Sequence, residues 1–451
     1  NYFSLSQINS YNNFVSSNIP YIIKTLNPFT MLKKDEDNNI KHEVNIYMGT
    51  KQGDKIYLSK PTIYNKNKKF LSKPLLPNEA RLKDINYVSN LTVDIEIEYI
   101  DYTKITKDNP RPTKITKRYN NILIGLIPIM LHSKLCILNN QPHNVLREMG
   151  ECPFDQGGYF IISGKEKTII SQERISTNKL FIEKSKDPNF SYQSFIRCTS
   201  RENVLFPKTI KFYIFDNKLN SNKQFLNNSI LIECPNIKTG FKINALPIGI
   251  YFKALGIDTD KEIINNIFYD DGKNINQKFI DFIRNTIIES SEYKTQYDAL
   301  NYLKQFTKYK TIENVKFVLY EDFLPNVNKN FKQKGLFLGT LIYKLISVAL
   351  EIQPTTNKDN YLFKRVDLVG YLMTNLFRDL YNKLRNNIKN ELDKQYNYGY
   401  WRDLGDLQYI INENNLLKIF DKSIISNLMI KSFKGNWGCN NDPKNEGMVQ
   451  D

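Results

Sequence analysis

The chain has 451 residues, 41% of them hydrophobic and 13% aromatic, which is enough for sizeable cores and too long for one compact domain. Lys and Arg outnumber Asp and Glu by 63 to 47, and the net charge of +16 favours nucleic acid as a partner over an anionic membrane, with a basic protein that binds no polyanion as the plain alternative. No apolar run is long enough to span a bilayer and no signal segment opens the chain, so we expect a soluble, intracellular protein and exclude membrane-spanning and secreted classes.

The five cysteines are widely and irregularly spaced and form no Cys-x-x-Cys pair. This spacing argues against a disulfide framework and favours a reducing compartment. A mixed zinc set remains a weaker alternative to four ordinary side chains, because both donor types suit zinc although the spacing fits no common site. Its members would be His132, Cys136, His143 and Cys152.

The amino-terminal part begins with a helix and continues with strands. Apolar residues at helical spacing predict a helix within Ser6–Lys24 that Pro20 ends. From Glu43 to Tyr119, short alternating stretches separated by Asn, Gly, Asp and Pro predict strands and turns. The charged run Lys107–Lys117 is typical of a hairpin tip, and Ile122–Leu138 predicts a strand, a break at proline and a short helix.

The middle of the chain is polar and charged between about Arg174 and Asn203, and a domain boundary is expected near Phe181. Strand patterns return at Thr209–Phe215 and Ser229–Cys234.

Helical periodicity then dominates from Leu246 onward. Two further helical blocks are predicted over Lys334–Leu350 and Val366–Leu392, with Gln353–Asn360 as a linker between them. Together these elements predict an α+β protein of two mixed domains.

The sequence segment that is most specific for a protein family lies between Glu151 and Arg174. Residues 155–167 read Asp-Gln-Gly-Gly-Tyr-Phe-Ile-Ile-Ser-Gly-Lys-Glu-Lys, and Gln172-Glu173-Arg174 follow. This segment closely resembles the signature of the second-largest subunit of multisubunit DNA-directed RNA polymerases of the eukaryotic, archaeal or large-DNA-virus type. Colinear matches to the same family include Ile56–Pro61, Glu79–Leu82, Ile127–Leu131, Leu246–Ile248, Phe252–Gly256, Phe323–Pro325, Lys364–Gly370 and Gly435–Gly438.

The resemblance implies a discontinuous protrusion domain with an inserted lobe domain. The protrusion would comprise residues 1–182 and 365–431, the lobe residues 183–364, and residues 432–451 would begin the fork. Whether the chain is a fragment or one piece of a split subunit stays open at this point.

Two lysines of the signature are candidate nucleic-acid contacts. Gly157-Gly158 permits a turn with positive φ, Tyr159–Ile162 predicts a buried strand, and Ser163-Gly164 turns again to present Lys165 and Lys167. Lysines beside basic grooves usually contact phosphate without selecting a sequence, and the equally weighted alternative is a structural hairpin with solvated lysines.

Four further candidate contacts lie toward the end of the chain. Lys364 and Arg365, at the start of the predicted helix, would touch phosphate or belong to a solvated helix face with a carboxylate partner. By the resemblance, Gln450 matches a glutamine beside the RNA strand of the hybrid. The loop between Gly438 and Gly447 departs from the family's basic pattern and keeps only Lys444 as a basic residue.

No catalytic residue is predicted in this chain. Tyr269–Gly272 superficially resembles a magnesium-binding hairpin of single-chain polymerases, but the helical period before it favours a polar helix end. The phosphate-binding loop, nucleophile-elbow and zinc-protease motifs are all absent from the sequence. The resemblance implies that the catalytic aspartates belong to the largest subunit, that the whole enzyme uses Mg²⁺, and that this chain alone is inactive and binds no cofactor.

The expected function is therefore one wall of the DNA cleft in a transcribing polymerase. The implied partners are the largest and smaller polymerase subunits, template DNA and the RNA–DNA hybrid, with no membrane. The alternatives are a stand-alone basic nucleic-acid-binding module and an assembly module that meets acidic partners. The Asn-rich sequence and its divergence from cellular members of the family favour a large DNA virus as the source, with location in host cytoplasm or virion. The alternative is a cellular polymerase, with a nuclear location in a eukaryotic cell.

Overall fold

The computed structural model of the chain describes residues 4–35, 40–64, 72–103, 112–200, 207–216, 225–240, 244–268, 277–399, 401, 406–439 and 447–450. Two compact units are present, one formed by Asn1–Gln172 and Val366–Asp451 and the other by Glu173–Arg365. Helices and several separate sheets occur together, which confirms the predicted α+β class. The identification of these units as protrusion and lobe stays a prediction.

The first unit combines a long helix with an antiparallel sheet. Its helices are α1 (Leu5–Asn13), α2 (Ile19–Thr25), α3 (Pro77–Leu82), α4 (His143–Glu148), α11 (Val369–Tyr398), α12 (Glu413–Ile419) and α13 (Lys422–Phe433). Its strands are β1 (Phe29–Lys34), β2 (Ile40–Met48), β3 (Ile56–Leu58), β4 (Thr62–Tyr64), β5 (Ser72–Pro74), β6 (Val88–Asp101), β7 (Thr113–Pro128), β8 (Phe160–Ile162), β9 (Lys165–Ile169) and β17 (Val449–Gln450). Strand β6 pairs with β2, β3 and β7, and α11 packs against α1 and α13.

The second unit is a five-stranded antiparallel sheet covered on one face by helices. Its strands are β11 (Leu180–Lys184), β12 (Phe190–Cys198), β13 (Lys208–Phe215), β14 (Ile230–Glu233) and β15 (Leu246–Pro247), paired in that order. Its helices are α5 (Ile248–Ala254), α6 (Asp260–Phe268), α7 (Gln277–Ser290), α8 (Gln296–Lys304), α9 (Ile312–Phe317) and α10 (Phe331–Ala349). Strands β10 (Gln172–Ile175) and β16 (Lys364–Asp367) form a separate two-stranded sheet.

Alternation along the strands separates the two faces of this sheet. Ile196, Ile210 and Phe212 point to one face and lie in a core with the helices, whereas Phe195 and Lys211 point to the other, here called the outer face. The outer face carries polar residues such as Glu183, Gln193 and Arg197 together with Phe181 and Phe195, so the apolar residues of β11 and β12 are interrupted by polar ones.

Several local predictions are wrong. Pro20 does not end a helix: a π-helical turn (Phe14–Asn18) joins α1 to α2, and Pro20 lies in the first turn of α2, where its missing N–H costs no hydrogen bond. Strand β7 ends at Pro128 and is followed by turns, so the short helix comes only at α4. The described part of the polar stretch that starts at Arg174 contains the end of β10 and the strands β11 and β12, and Val366 lies in β16 rather than in a helix.

Other predictions are confirmed. Strands β13 and β14 and helices α5 to α8, α10 and α11 lie where the periodicity indicates, while α3 and α9 were not predicted. Of the predicted hairpin tip Lys107–Lys117, residues 107–111 lie outside the described residues and Thr113–Lys117 belong to β7, which pairs antiparallel with β6.

Candidate nucleic-acid interface

The signature forms a tight hairpin from β8 and β9. Ile162 pairs with Lys165, and the two residues between them, Ser163 and Gly164, have φ values of 51° and 75°. Positive φ at both positions gives the primed turn that suits the twist of paired strands. All three residues of β8 are buried, so the hairpin is anchored through one strand and presents the other.

The turn that precedes the hairpin is fixed by Asp155. Its carboxylate accepts hydrogen bonds from the Gly157 amide at 2.9 Å and from the Tyr159 hydroxyl at 2.5 Å. Gly157 and Gly158 have positive φ, as predicted, and a Cβ at Gly157 would lie only 2.7 Å from the Leu131 carbonyl oxygen. The glycines of the signature are therefore required by backbone conformation and close approach.

Glu166, between the two signature lysines, is held by Arg81. The Arg81 guanidinium donates to Glu166 Oε1 at 2.8 Å, to the Tyr159 hydroxyl at 2.7 Å and to Glu151 at 3.4 Å. Burial, followed by the hydrogen bond to Asp155, raises the pKa of Tyr159 far above its ordinary value, so this hydroxyl stays protonated and donates to Asp155. These hydrogen bonds fix the position of the hairpin, and the Arg81 guanidinium neutralises the charge of Glu166.

Lys165 and Lys167 share one face of β9, because alternate residues of a strand point the same way. Lys165 is exposed and Lys167 is half-buried. The carboxylate between them, Glu166, is already paired with Arg81.

Gln450 joins the same small sheet. Strand β17 pairs with β9, with Gln450 opposite Thr168 and Val449 opposite Ile169. Directly paired residues share a face, so the exposed Gln450 lies with Thr168, on the face opposite Lys165 and Lys167. The structure thus brings Gln450 next to the signature strand but does not combine it with the lysines in one surface. Lys444 lies outside the described residues.

Lys364 and Arg365 lie in strand β16 and not at a helix start. Lys364 is 21% exposed and pairs with Glu173, the central residue of the Gln-Glu-Arg motif, with Nζ and Oε1 3.0 Å apart. Arg365 is half-buried. The carboxylate partner that the sequence analysis considered for this pair is therefore present for Lys364.

A basic cavity of about 650 Å³ on the outer face of the second unit includes Lys364 in its lining. Alternate residues of β12 and β13 line it, among them Phe195, Arg197, Lys211 and Tyr213, together with Arg174 of β10. Sequence reasoning missed Arg197 and Lys211, although a two-residue period through both strands would have placed them on one face with Phe195 and Tyr213.

The cations of this cavity differ in their pairing. Lys211 lies 3.0 Å from Glu233, as Lys364 does from Glu173. Arg174 and Arg197 are exposed and have no ion pair within the described part of the chain. Two guanidinium groups without a carboxylate partner suit phosphate, because guanidinium binds phosphate through two parallel hydrogen bonds.

The metal alternatives find no support in the described residues, where no three His, Cys, Asp or Glu side chains are grouped so as to hold an ion. Cys136, from the zinc alternative, is buried within hydrogen-bond distance of the Tyr87 hydroxyl, 3.4 Å away. Tyr269–Gly272 lies outside the described residues. None of the helices in the described ranges has the length and apolar character needed to cross a membrane.

The chain matches the family model described as RNA polymerase beta subunit over residues 3–416. It is 32% identical over 393 residues to DNA-directed RNA polymerase II subunit 2 of Arabidopsis thaliana, covering 85% of this chain and 31% of that protein. A DNA-directed RNA polymerase II subunit of Meyerozyma guilliermondii is 28% identical over 464 residues, covering 96% of this chain and 34% of that protein. DNA-directed RNA polymerase III subunit 2 of Arabidopsis thaliana is 28% identical over 391 residues, covering 84% of this chain. The chain spans about a third of the length of these relatives.

Proposed function

Because the chain belongs to the family of RNA polymerase beta subunits and corresponds to the amino-terminal region of the second-largest subunit, we propose that it forms one wall of the DNA cleft of a DNA-directed RNA polymerase. In this proposal the first unit is the protrusion, the second unit is the lobe, and the segment from residue 432 begins the fork. The observation that carries the proposal is the signature hairpin, whose strand β9 presents two lysines and pairs with the strand of Gln450.

Nucleotide addition belongs to the whole enzyme in this proposal. The largest subunit supplies the carboxylates that hold Mg²⁺, and this chain alone is inactive and holds no cofactor. Its partners are the largest and smaller polymerase subunits, template DNA and the RNA–DNA hybrid. It works in host cytoplasm or virion if the source is a large DNA virus, and in the nucleus if the source is a eukaryotic cell.

Co-purification tests the assignment directly. The tagged chain is recovered from its native source, its companions are identified by mass spectrometry, and the eluate is assayed for template-dependent nucleotide incorporation. We expect a largest subunit and RNA synthesis in the eluate. A chain that is recovered alone and binds DNA without partners would instead favour the stand-alone module.

Removing the charge of the signature lysines tests the hairpin as a phosphate contact. We expect Lys165→Gln with Lys167→Gln to weaken binding of an RNA–DNA hybrid to the 451-residue chain and to lower the slope of log affinity against log salt by about 2, since each phosphate contact contributes about 1. Fluorescence anisotropy across a salt series measures both quantities.

The matched control removes two exposed lysines from helices of the second unit, Lys261→Gln with Lys332→Gln. Net charge falls equally in both pairs, so a general loss of attraction affects them alike. Equal slopes for the two double variants would mean that the hairpin lysines are merely solvated.

The basic cavity gives a second, separable prediction. We expect Arg174→Gln with Arg197→Gln to reduce the salt slope by about 2 as well, because these guanidinium groups have no internal carboxylate to release when phosphate binds. Both side chains are exposed, so the thermal unfolding of the second unit should not change. The anisotropy series with duplex DNA checks the slope, and a slope equal to that of the lysine control pair would exclude the cavity from polyanion binding.

A further inference from the structure

A second, smaller cavity lies in the first unit between β1 and α11. Its volume is about 270 Å³, and its polar lining comes mainly from α11, with the side chains of Asn382, Arg385, Asn386 and Lys389. Two cations and two amides thus line a space that has no carboxylate in its lining. Nothing in the signature or in the predicted contacts involves this helix face.

Arg385 is held in this cavity without a partner for its charge. Its guanidinium carbon lies 4.6 Å from the centroid of the Phe29 ring, a cation–π contact. Its Nε is buried and has no hydrogen-bond partner among the described residues. Burial lowers the pKa of Arg385, which indicates that the surroundings disfavour its positive charge.

A second unsatisfied donor lies one helical turn earlier. The Tyr381 side chain is fully buried against Phe29, with ring centroids 6.2 Å apart, and its hydroxyl has no hydrogen-bond partner within the described ranges. Tyr381 does not line the cavity, so Arg385 Nε is the buried donor of the lining that lacks an acceptor, and buried polar groups are nearly always satisfied.

The two carboxylates that follow Arg385 on α11, Glu391 and Asp393, form ion pairs with lysines. Glu391 Oε1 lies 2.6 Å from Lys394 and its Oε2 lies 3.8 Å from Lys418. Asp393 lies 2.8 Å from Lys33 of β1. The charge of Arg385 and Lys389 therefore remains uncompensated in the described part of this unit.

We propose that the cavity formed by Arg385, Lys389, Asn382 and Asn386 binds a phosphate group. A phosphate dianion neutralises two cations, offers more acceptor positions than a carboxylate, and accepts bidentate hydrogen bonds from guanidinium. The cavity is too small for a whole nucleotide, so the ligand is either free phosphate or one phosphate of a nucleic-acid backbone. This inference is independent of the polymerase assignment.

Thermal unfolding of the 451-residue chain in inorganic phosphate, compared with chloride at equal ionic strength, tests the site. We expect phosphate to raise the unfolding temperature of the wild-type protein, since a ligand that binds only the folded state stabilises it. Arg385→Gln should abolish the phosphate-dependent shift. Lys389→Gln should weaken apparent phosphate affinity by about tenfold, the loss of one charge-assisted hydrogen bond.

Two variants keep the test decisive if Arg385→Gln folds poorly. Lys389 is exposed and its substitution leaves the core intact, and Lys383→Gln removes an equally exposed lysine of α11 that is not in the cavity lining. The proposal fails if wild-type protein shows no phosphate-dependent shift, or if Lys383→Gln and Lys389→Gln lose affinity equally. It also fails if poly-glutamate stabilises the protein through Arg385 and phosphate does not.

Competition identifies the source of the phosphate. A short DNA duplex that abolishes the phosphate-dependent shift in wild-type protein would assign the site to a nucleic-acid backbone. A phosphate shift that duplex DNA leaves unchanged would assign it to free phosphate. Either result supports the site.

Discussion

Gly339→Ala is expected to destabilise the second unit by roughly 1–3 kcal/mol, the typical range for forcing extra volume into a packed interior. Helices α6 and α10 cross so closely that a Cβ at Gly339 would lie 2.0 Å from the carbonyl oxygen of Asn266 and 2.6 Å from its carbonyl carbon. Both are backbone atoms, so α6 itself must move. The gain of about 1 kcal/mol in helix propensity offsets only part of this cost.

Gly335→Ala is the matched control, one turn earlier on the same helix. Its Cβ would approach Ile257 Cδ1 at 2.3 Å, but that atom ends a flexible side chain that can rotate away. The propensity gain is the same, so we expect the unfolding free energy to change by less than about 1 kcal/mol.

Hydrogen exchange measured by mass spectrometry on peptides of α6 and α10 compares the two variants, because exchange reports each unit separately. Both tryptophans, Trp401 and Trp437, belong to the first unit, so their fluorescence serves as an internal check that this unit is unaffected. Equal deprotection in the two variants would show that the contact between α6 and α10 is not the constraint.

The helices of the second unit were predictable because their pattern is local. Helix α7 repeats apolar residues on one face at 3.6-residue spacing, and Phe279 and Ile283 are buried as that spacing requires. The same holds for the signature hairpin, where two glycine-containing turns bracket an apolar strand. In each case the residues that determine the element are neighbours in sequence.

The strands β11 and β12 were missed because polar residues on the outer face obscure the alternating pattern of apolar residues. The apolar residues are interrupted by Glu183, Gln193 and Arg197, a pattern that is typical of a loop. Ile182 and Ile196 nevertheless point inward to the core. Which residues of a strand belong to the core face and which to the outer face becomes clear only when the neighbouring strand and its register are known.

The candidate sites show the same limit more strongly. The positions of Lys165 and Lys167 followed from the hairpin, but the pairing of Gln450 with Thr168 joins distant parts of the chain and no local pattern predicts it. The cavity around Arg385 depends on Phe29, which lies on a strand formed near the amino terminus. Long-range packing creates both arrangements, so sequence periodicity could not predict them.

Lys334→Met is expected to lower the unfolding free energy of the second unit by roughly 2–4 kcal/mol at pH 7, because it leaves buried carbonyl groups without a donor. Lys334 is fully buried on α10, and its Nζ donates to the carbonyl oxygens of Leu319 at 2.8 Å, Tyr320 at 2.8 Å and Phe323 at 2.6 Å. These acceptors lie within or just after the π-helical turn Val318–Asp322, which cannot satisfy them internally. Removing a desolvated charge offsets part of the loss.

The pH dependence of the same variant separates charge from packing. Burial lowers the pKa of Lys334 to about 8 in the folded protein, whereas a lysine of the unfolded chain has a pKa of about 10.4. Between these two pH values the unfolded chain binds more protons than the folded one. Stability contributed by this group therefore rises with pH through 8, and the advantage of wild type over Lys334→Met should be larger at pH 9 than at pH 7. Urea unfolding followed by circular dichroism at the two pH values measures this, below the range in which tyrosines ionise. Lys332→Met, which replaces an exposed lysine of the same helix, should show no such difference. If the advantage of wild type instead shrinks as pH rises, the three carbonyl groups around Lys334 stabilise its charged form more than burial destabilises it.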